Sequence, residues 1–172
     1  MKRFIFVIVC FFVISPALAG GLSEKTQSMS LGFSYVDTDD LGKETDLSVG
    51  WAYGFKEGLV QVGASVSYFS QDFDGSDKFD SSTIGPLVAI NFMPAAKATP
   101  YISFEVVTVG GDLGDAYDLG YGAGAGVKAF IGDSASLDVG VGFSRLQSDI
   151  SFLDDLDSTV FLVGVSFYFG NR

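Results

Sequence analysis

The chain of 172 residues carries 21 Asp and Glu against 10 Lys and Arg, no His and one Cys, for a formal net charge of -11. Without His there is no Ser-His-Asp or Cys-His catalysis, no imidazole metal site and no ordinary switch near neutral pH. The acidic balance excludes a surface built to neutralise nucleic-acid phosphates, and the length admits one domain with or without a targeting segment.

Residues 1–19 read as that targeting segment. Met1-Lys2-Arg3 precedes the apolar run from Phe4 to Ile14, and Ala17-Leu18-Ala19 supplies small residues at the spacing of a cleavage site, which is the order of a secretory signal peptide. The run is too short to span a bilayer as a helix, which takes about 20 residues. Cys10 lies inside it, so residues 20–172 contain no cysteine. An exported domain without disulfides needs another source of stability, and a bilayer can provide it.

From there the sequence alternates with a period of two, the signature of strands. Met29, Leu31, Phe33 and Tyr35 face away from Ser28, Ser30, Gly32 and Ser34. Leu47, Val49, Trp51, Tyr53 and Phe55 oppose Asp46, Ser48, Gly50, Ala52 and Gly54; Val60, Val62, Ala64, Val66 and Tyr68 oppose Gln61, Gly63, Ser65 and Ser67. Ile84, Pro86, Val88, Ile90 and Phe92 oppose Thr83, Gly85 and Asn91, and Ile102, Phe104 and Val106 oppose Ser103 and Glu105, with Tyr101, Val107 and Val109 blurring that second face. The sixth segment sets Tyr117, Leu119, Tyr121, Ala123, Ala125, Val127 and Ala129 against Asp118, Gly120, Gly122, Gly124, Gly126 and Lys128. Leu137, Val139, Val141 and Phe143 oppose Ser136, Asp138, Gly140 and Gly142, and Phe161, Val163, Val165, Phe167 and Phe169 oppose Gly164 and Ser166, with Leu162 and Tyr168 as exceptions.

These are eight strands of about ten residues, the length of a tilted transmembrane strand. The second face is mostly Gly, Ser and Ala, too small to fill a sandwich core, so the bulky face must point outward. In water such a belt would far exceed the apolar patch a monomer tolerates. In lipid it is required, provided that the sheet closes and pairs every backbone amide. The narrow axis of an eight-stranded barrel then takes the small residues. Connectors alternate in length: Lys56-Glu57-Gly58, 93–100 and 132–134 are short, whereas 37–45, 70–82, 110–116 and 145–158 are long and polar. That is the pattern of periplasmic turns and external loops. The expected fold is all-β, an eight-stranded antiparallel up-and-down transmembrane β-barrel over residues 20–172, monomeric and in a bacterial outer membrane.

The final strand carries Gly164-x-x-Phe167-x-Phe169, which resembles the C-terminal signal read by the barrel-assembly machinery. It departs from that signal in Leu162, where a polar residue is usual, and in Gly170-Asn171-Arg172 after the last aromatic. With TPYISFEV, GAGAGVKAFIGDSASLDVGVGF and the signal peptide, nearly the whole chain resembles the small outer-membrane barrels of the OmpA, OmpX, OmpW and opacity-like porin families. The resemblance implies a barrel assembled into the outer membrane among its lipid and lipopolysaccharide.

Acid fills the long connectors. Asp37, Asp39, Asp40, Glu44, Asp72, Asp74, Asp77, Asp80, Asp112, Asp115, Asp149, Asp154, Asp155 and Asp157 face only Lys43, Lys78 and Arg145. Solvated loops account for them. A sharper reading is weak binding of Ca²⁺ or Mg²⁺ at Asp72, Asp74, Asp77 and Asp80, hard oxygens around Gly75 that lack the closing Glu of an EF-hand. On the inward face, Asp46, Glu105, Asp118 and Asp138 point the same way as Lys128 and are expected to form a charge network that plugs the lumen; a cation-selective ring is the rival.

Gly120-x-Gly122-x-x-Ala125 fits the dinucleotide fingerprint, but the glycines continue at period two and no helix follows. Trp51, Tyr53 and Phe55, and at the other end Tyr35, Tyr68, Tyr117 and Phe143, read as interfacial aromatic girdles. No catalytic residue emerges, and the absence of His removes the usual base for lipid-modifying Ser chemistry. The sequence therefore predicts a non-enzymatic barrel acting through its loops in envelope integrity, surface interaction or adhesion. An OmpW-like conduit for small hydrophobic or cationic solutes is the alternative.

Overall fold

The computed structural model describes residues 22, 26–38, 42–72, 78–148, 150 and 154–169, with backbone alone for 34–38 and 42–44. Eight strands follow one another around a closed antiparallel barrel: β1 Gln27–Thr38, β2 Gly42–Phe55, β3 Val60–Asp72, β4 Phe79–Asn91, β5 Ala98–Gly111, β6 Tyr117–Phe130, β7 Ala135–Ser148 and β8 Leu156–Phe169. Every strand pairs with its sequence neighbours, and β8 returns to β1.

The period of two becomes an inside and an outside. Phe33, Trp51, Val66, Ile84, Phe104, Val139 and Phe169 are each half exposed on the outer surface, while their neighbours in sequence turn toward the axis. The small inward residues are a steric requirement at two places. A Cβ on Gly63 would collide with the Trp51 carbonyl and the Ala52 backbone, and one on Gly85 would collide with the Val106 carbonyl and Val107. At both, adjoining strands approach too closely for any side chain, which lets a sheet of eight strands curl into so narrow a cylinder.

The strands are longer than the hydrophobic alternation predicts, at 12 to 14 residues. At about 3.3 Å per residue they overrun the apolar slab at the loop end, where polar residues keep pairing although no greasy rhythm marks them. Asp37 sits opposite Lys43, and Asp157 opposite Arg145. Several acids assigned by sequence to loops thus stand on strand extensions. At the other end the connectors are tight; in one of them Lys56, Glu57 and Gly58 all have positive φ, at 49°, 60° and 83°.

Two face assignments change. Between Tyr117 and Leu119 the β6–β7 register shifts, a β-bulge that leaves Asp118 exposed and turns Tyr117 inward, where it is 8% exposed. Tyr117 therefore leaves the aromatic girdle, and its hydroxyl donates to the Asp154 carbonyl at 3.5 Å. On β5, Tyr101 and Val107 are buried on the lumen face, where the alternation places them.

Replacing Gly63 by Ala should destabilise the barrel by about 3 kcal/mol, because backbone rather than a movable side chain blocks the new methyl group. Gly110→Ala, whose Cβ would come no nearer than 3.4 Å to Ser82 Oγ, should stay within about 0.5 kcal/mol. Urea unfolding in vesicles, followed by Trp51 fluorescence, compares the two.

Candidate functional site

The lumen is built in three levels, and a side chain's level depends on how far its residue lies from the turn end. Nearest the turns is a polar layer in which Asn91, Thr99 and Ser136 are fully buried and Ser166 is 2% exposed. Asn91 Nδ2 donates to the Gly58 carbonyl at 2.9 Å and to Gln61 Oε1 at 3.1 Å, and Gln61 Nε2 donates to Ser28 Oγ at 3.0 Å. Leu22 seats against this end, its amide donating to the Pro94 carbonyl at 2.6 Å.

Beside these amides stands the charge pair. Lys128 Nζ lies 3.4 Å from Asp138 Oδ2, with the two side chains only 11% and 13% exposed. Asp138 also accepts hydrogen bonds from Ser136 Oγ and Ser166 Oγ, each at 2.5 Å. The ammonium lies 4.4 Å from the centre of the Tyr101 ring, a cation–π contact. Tyr101 finds room because β6 and β7 present Gly126 and Gly140 beneath it; a Cβ on either would press on the phenol at 2.9 and 3.2 Å. Tyr168, inward as its break in the alternation suggests, shares a hydrogen bond of 2.9 Å with Ser136.

The remaining predicted members of the network do not reach this pair. Glu105 occupies the middle level, where Ser65 Oγ donates to it at 3.2 Å. Asp46 stands four residues from the loop end of β2, opposite Phe69 of β3, and Asp118 is displaced by the bulge. Sequence alternation fixes a residue's face but not its height, so charges sharing a face were expected to meet when only Lys128 and Asp138 do. Sequence reasoning missed Tyr101 as the cation's second partner. The available signal was its break in the alternation, directly opposite Gly126 on β6 with Gly140 next to that on β7.

At the loop end Arg145 forms two hydrogen bonds to Asp157, Nε to Oδ1 at 2.5 Å and Nη2 to Oδ2 at 2.6 Å. Tyr68 Oη and Lys78 Nζ both donate to Asp80, at 2.8 and 3.1 Å, and the Asp80 amide donates to Asp112 Oδ2 at 2.7 Å. The Asp80 carboxylate, and after it the Tyr68 hydroxyl, hold the exposed Lys78 ammonium above its usual pKa. Of the four acids predicted to hold a divalent cation, Asp72 and Asp80 are on strands β3 and β4, while Asp74 and Asp77 lie outside the described residues. Among the described residues no three acids come together as a metal cluster.

The residues of the C-terminal signal fall in the stretch that closes the barrel: Phe169, Phe167 and Gly164 stand opposite Gln27, Met29 and Gly32. Both phenylalanines face outward, while a Cβ on Gly164 would press on the Leu31 carbonyl at 2.8 Å.

Removing one partner of the enclosed pair strands the other. Lys128→Met and Asp138→Asn should each cost about 3 kcal/mol, and the double variant should cost at least about 1 kcal/mol less than their sum. Unfolding in vesicles across the four proteins of this cycle measures the coupling.

No known protein family and no curated protein matches the sequence. Solved structures do match in shape. Neisserial surface protein A is 17% identical, with a TM-score of 0.60 over 84% of this chain and 96% of that one. The outer membrane protein OprG of Pseudomonas aeruginosa is 13% identical, with a TM-score of 0.59 over 89% of this chain and all of its own. The attachment invasion locus protein Ail of Yersinia pestis is 15% identical, with a TM-score of 0.50 over 85% of this chain and 99% of that one. The eight-stranded closed antiparallel barrel of this chain is thus the fold of these small outer-membrane proteins.

Proposed function

We propose that this barrel resides in a bacterial outer membrane, exported by residues 1–19, with its lumen closed to solutes, and that it acts at its loop end in envelope integrity or surface attachment. The observation that carries the reading is the enclosed turn-end layer, where Asn91, Thr99, Ser136 and Ser166 have almost no accessible surface and the Lys128–Asp138 pair fills the adjoining space. With that end sealed, the chemistry left to contact a partner is on the strand extensions and loops. Likeness in shape to a protein named for attachment, Ail, is in keeping with this. Planar-bilayer recordings should give no stable conductance steps from the parent protein.

The second reading is a narrow conduit for small hydrophobic or cationic solutes. It is favoured by the cavity of about 180 Å³ above the polar layer and by the Glu105 carboxylate. Stable steps that change in Glu105→Gln would install this reading in place of the first.

Acidic loops and anionic lipopolysaccharide repel each other unless a divalent cation bridges them. Ca²⁺ or Mg²⁺ held weakly by Asp72, Asp74, Asp77 and Asp80 would do so, with the ion competing against Lys78 and Tyr68 for Asp80. Gly164, Phe167 and Phe169 serve in this reading as the contact for the assembly machinery, and no reaction is assigned. Calorimetry should detect Ca²⁺ binding that Asp72→Asn together with Asp74→Asn and Asp77→Asn abolishes; a parent protein without binding heat would remove the cation from the account.

A further inference from the structure

Serine meets glycine across three ladders of the lumen face. Ser30 of β1 stands opposite Gly50 of β2, Gly32 opposite Ser48, and Ser103 of β5 opposite Gly124 of β6. Each hydroxyl lies over the glycine it faces, so that a Cβ on Gly50, Gly32 or Gly124 would collide with the Oγ of Ser30, Ser48 or Ser103. The three hydroxyls thus lie along the wall and leave the axis open. Among the described residues none of them has a hydrogen-bond partner.

The space they leave is the cavity of about 180 Å³, with Leu87 and Leu162 on its wall and Lys128 and Asp138 at its floor. The hydrogen-bonding capacity of that floor is one-sided. Asp138 is saturated, since Ser136 donates to its Oδ1 while Ser166 and Lys128 donate to its Oδ2. Lys128 is nine-tenths buried and its ammonium has three donors. One meets Asp138 and one faces the Tyr101 ring; among the described residues the third has no acceptor. A cation therefore finds no free carboxylate oxygen at the floor. An anion meets Asp138 beside the ammonium and Glu105 next to Ser103 on the same face of β5. An uncharged molecule that both accepts and donates suits the ammonium and the hydroxyls, and its C–H groups suit the two leucines, which offer water nothing. A cavity of about 150 Å³ takes benzene, so this one takes about six non-hydrogen atoms.

We infer that this cavity is a binding site for one small uncharged polyol of the size of glycerol. A polyol hydroxyl accepts from Lys128 Nζ, the others exchange hydrogen bonds with Ser30, Ser48 and Ser103, and the carbon chain lies against Leu87 and Leu162. The layer beneath has almost no accessible surface, so the polyol arrives from the loop end, where Asp80, Asp112 and Asp157 stand. An uncharged solute passes that acidic mouth without the repulsion an anion meets. The site goes beyond a role in attachment, and it is occupied whether or not any solute crosses the layer beneath it.

The test titrates the folded barrel in detergent micelles with glycerol and follows amide shifts by NMR. The amides of Ser30, Ser48, Ser103 and Lys128 should shift and saturate together, several-fold more than those of Val139 and Val141 on the lipid face. Ser103→Leu fills the cavity and should weaken binding by about tenfold or more; Ser48→Leu repeats the measurement should Ser103→Leu fail the heat-dependent gel shift of folded barrels. Sodium acetate at the same concentration should leave the four amides in place. If acetate shifts them as strongly as glycerol, the cavity does not select an uncharged polyol and the inference fails. It fails equally if glycerol gives no saturable shift at these amides, or gives one that the folded cavity-filling variant retains, since the cavity then holds water only. Conductance in bilayer recordings changes none of these outcomes, so a failure here is distinct from a failure of the closed-lumen reading.

Discussion

A backbone amide in hydrocarbon has nothing to bond to except another backbone group, at a cost of several kcal/mol when it finds none. That single constraint organises the chain. It makes the sheet close, closure makes one face convex and lipid-facing and the other concave and crowded, and crowding selects glycine, serine and alanine for the inside. The stability of an ordinary domain comes from large side chains packed in its centre. Here the large side chains are outside, and the centre is held by polar groups that bond to one another, with Asn91 Oδ1 left without a partner among the described residues.

This inversion explains why the charge pair is arranged as it is. A lone ammonium in the lumen would carry a desolvation penalty of several kcal/mol. Lys128 meets it with a carboxylate on one side and the face of Tyr101 on the other, and Asp138 completes its own shell with two serine hydroxyls. These five side chains come from four strands, β5, β6, β7 and β8, with Ser136 and Asp138 both on β7. The pair therefore ties together the part of the barrel beside the closing ladder, where β1 and β8 hold each other over the fewest residues.

Face and order were legible in the sequence because alternation has a period of two whatever the surroundings. Eight strands, their direction and the side presented by Val139 or Gly140 all follow from that rhythm. Height was not legible: nothing in the alternation says that Asp138 stands level with Lys128 while Asp46 stands near the opposite rim. Nor does it reveal a local slip, so the bulge at Asp118 inverted Tyr117 without a trace in the pattern. The strand extensions escaped for a related reason. Once outside hydrocarbon, both faces of a strand can be polar, and Asp37 or Asp157 then reads as loop although it belongs to a ladder. The breaks in the alternation at Tyr101, Leu162 and Tyr168 were the informative positions, since a bulky group on the small face must be there to fill or close something.

Leu162 and Tyr168 show how one strand can do both. Tyr168 lies where β8 is paired on both sides, and its ring fills the turn-end layer against Phe130, with ring centres 5.2 Å apart. Leu162 lies six residues further on, past Gly164, where β1 no longer pairs with β8. The same departure from small residues therefore seals the barrel at one height and lines an opening at the other. A fully zipped seam would satisfy more amides, so the unpaired stretch belongs at the loop end, where water and headgroups can bond to them.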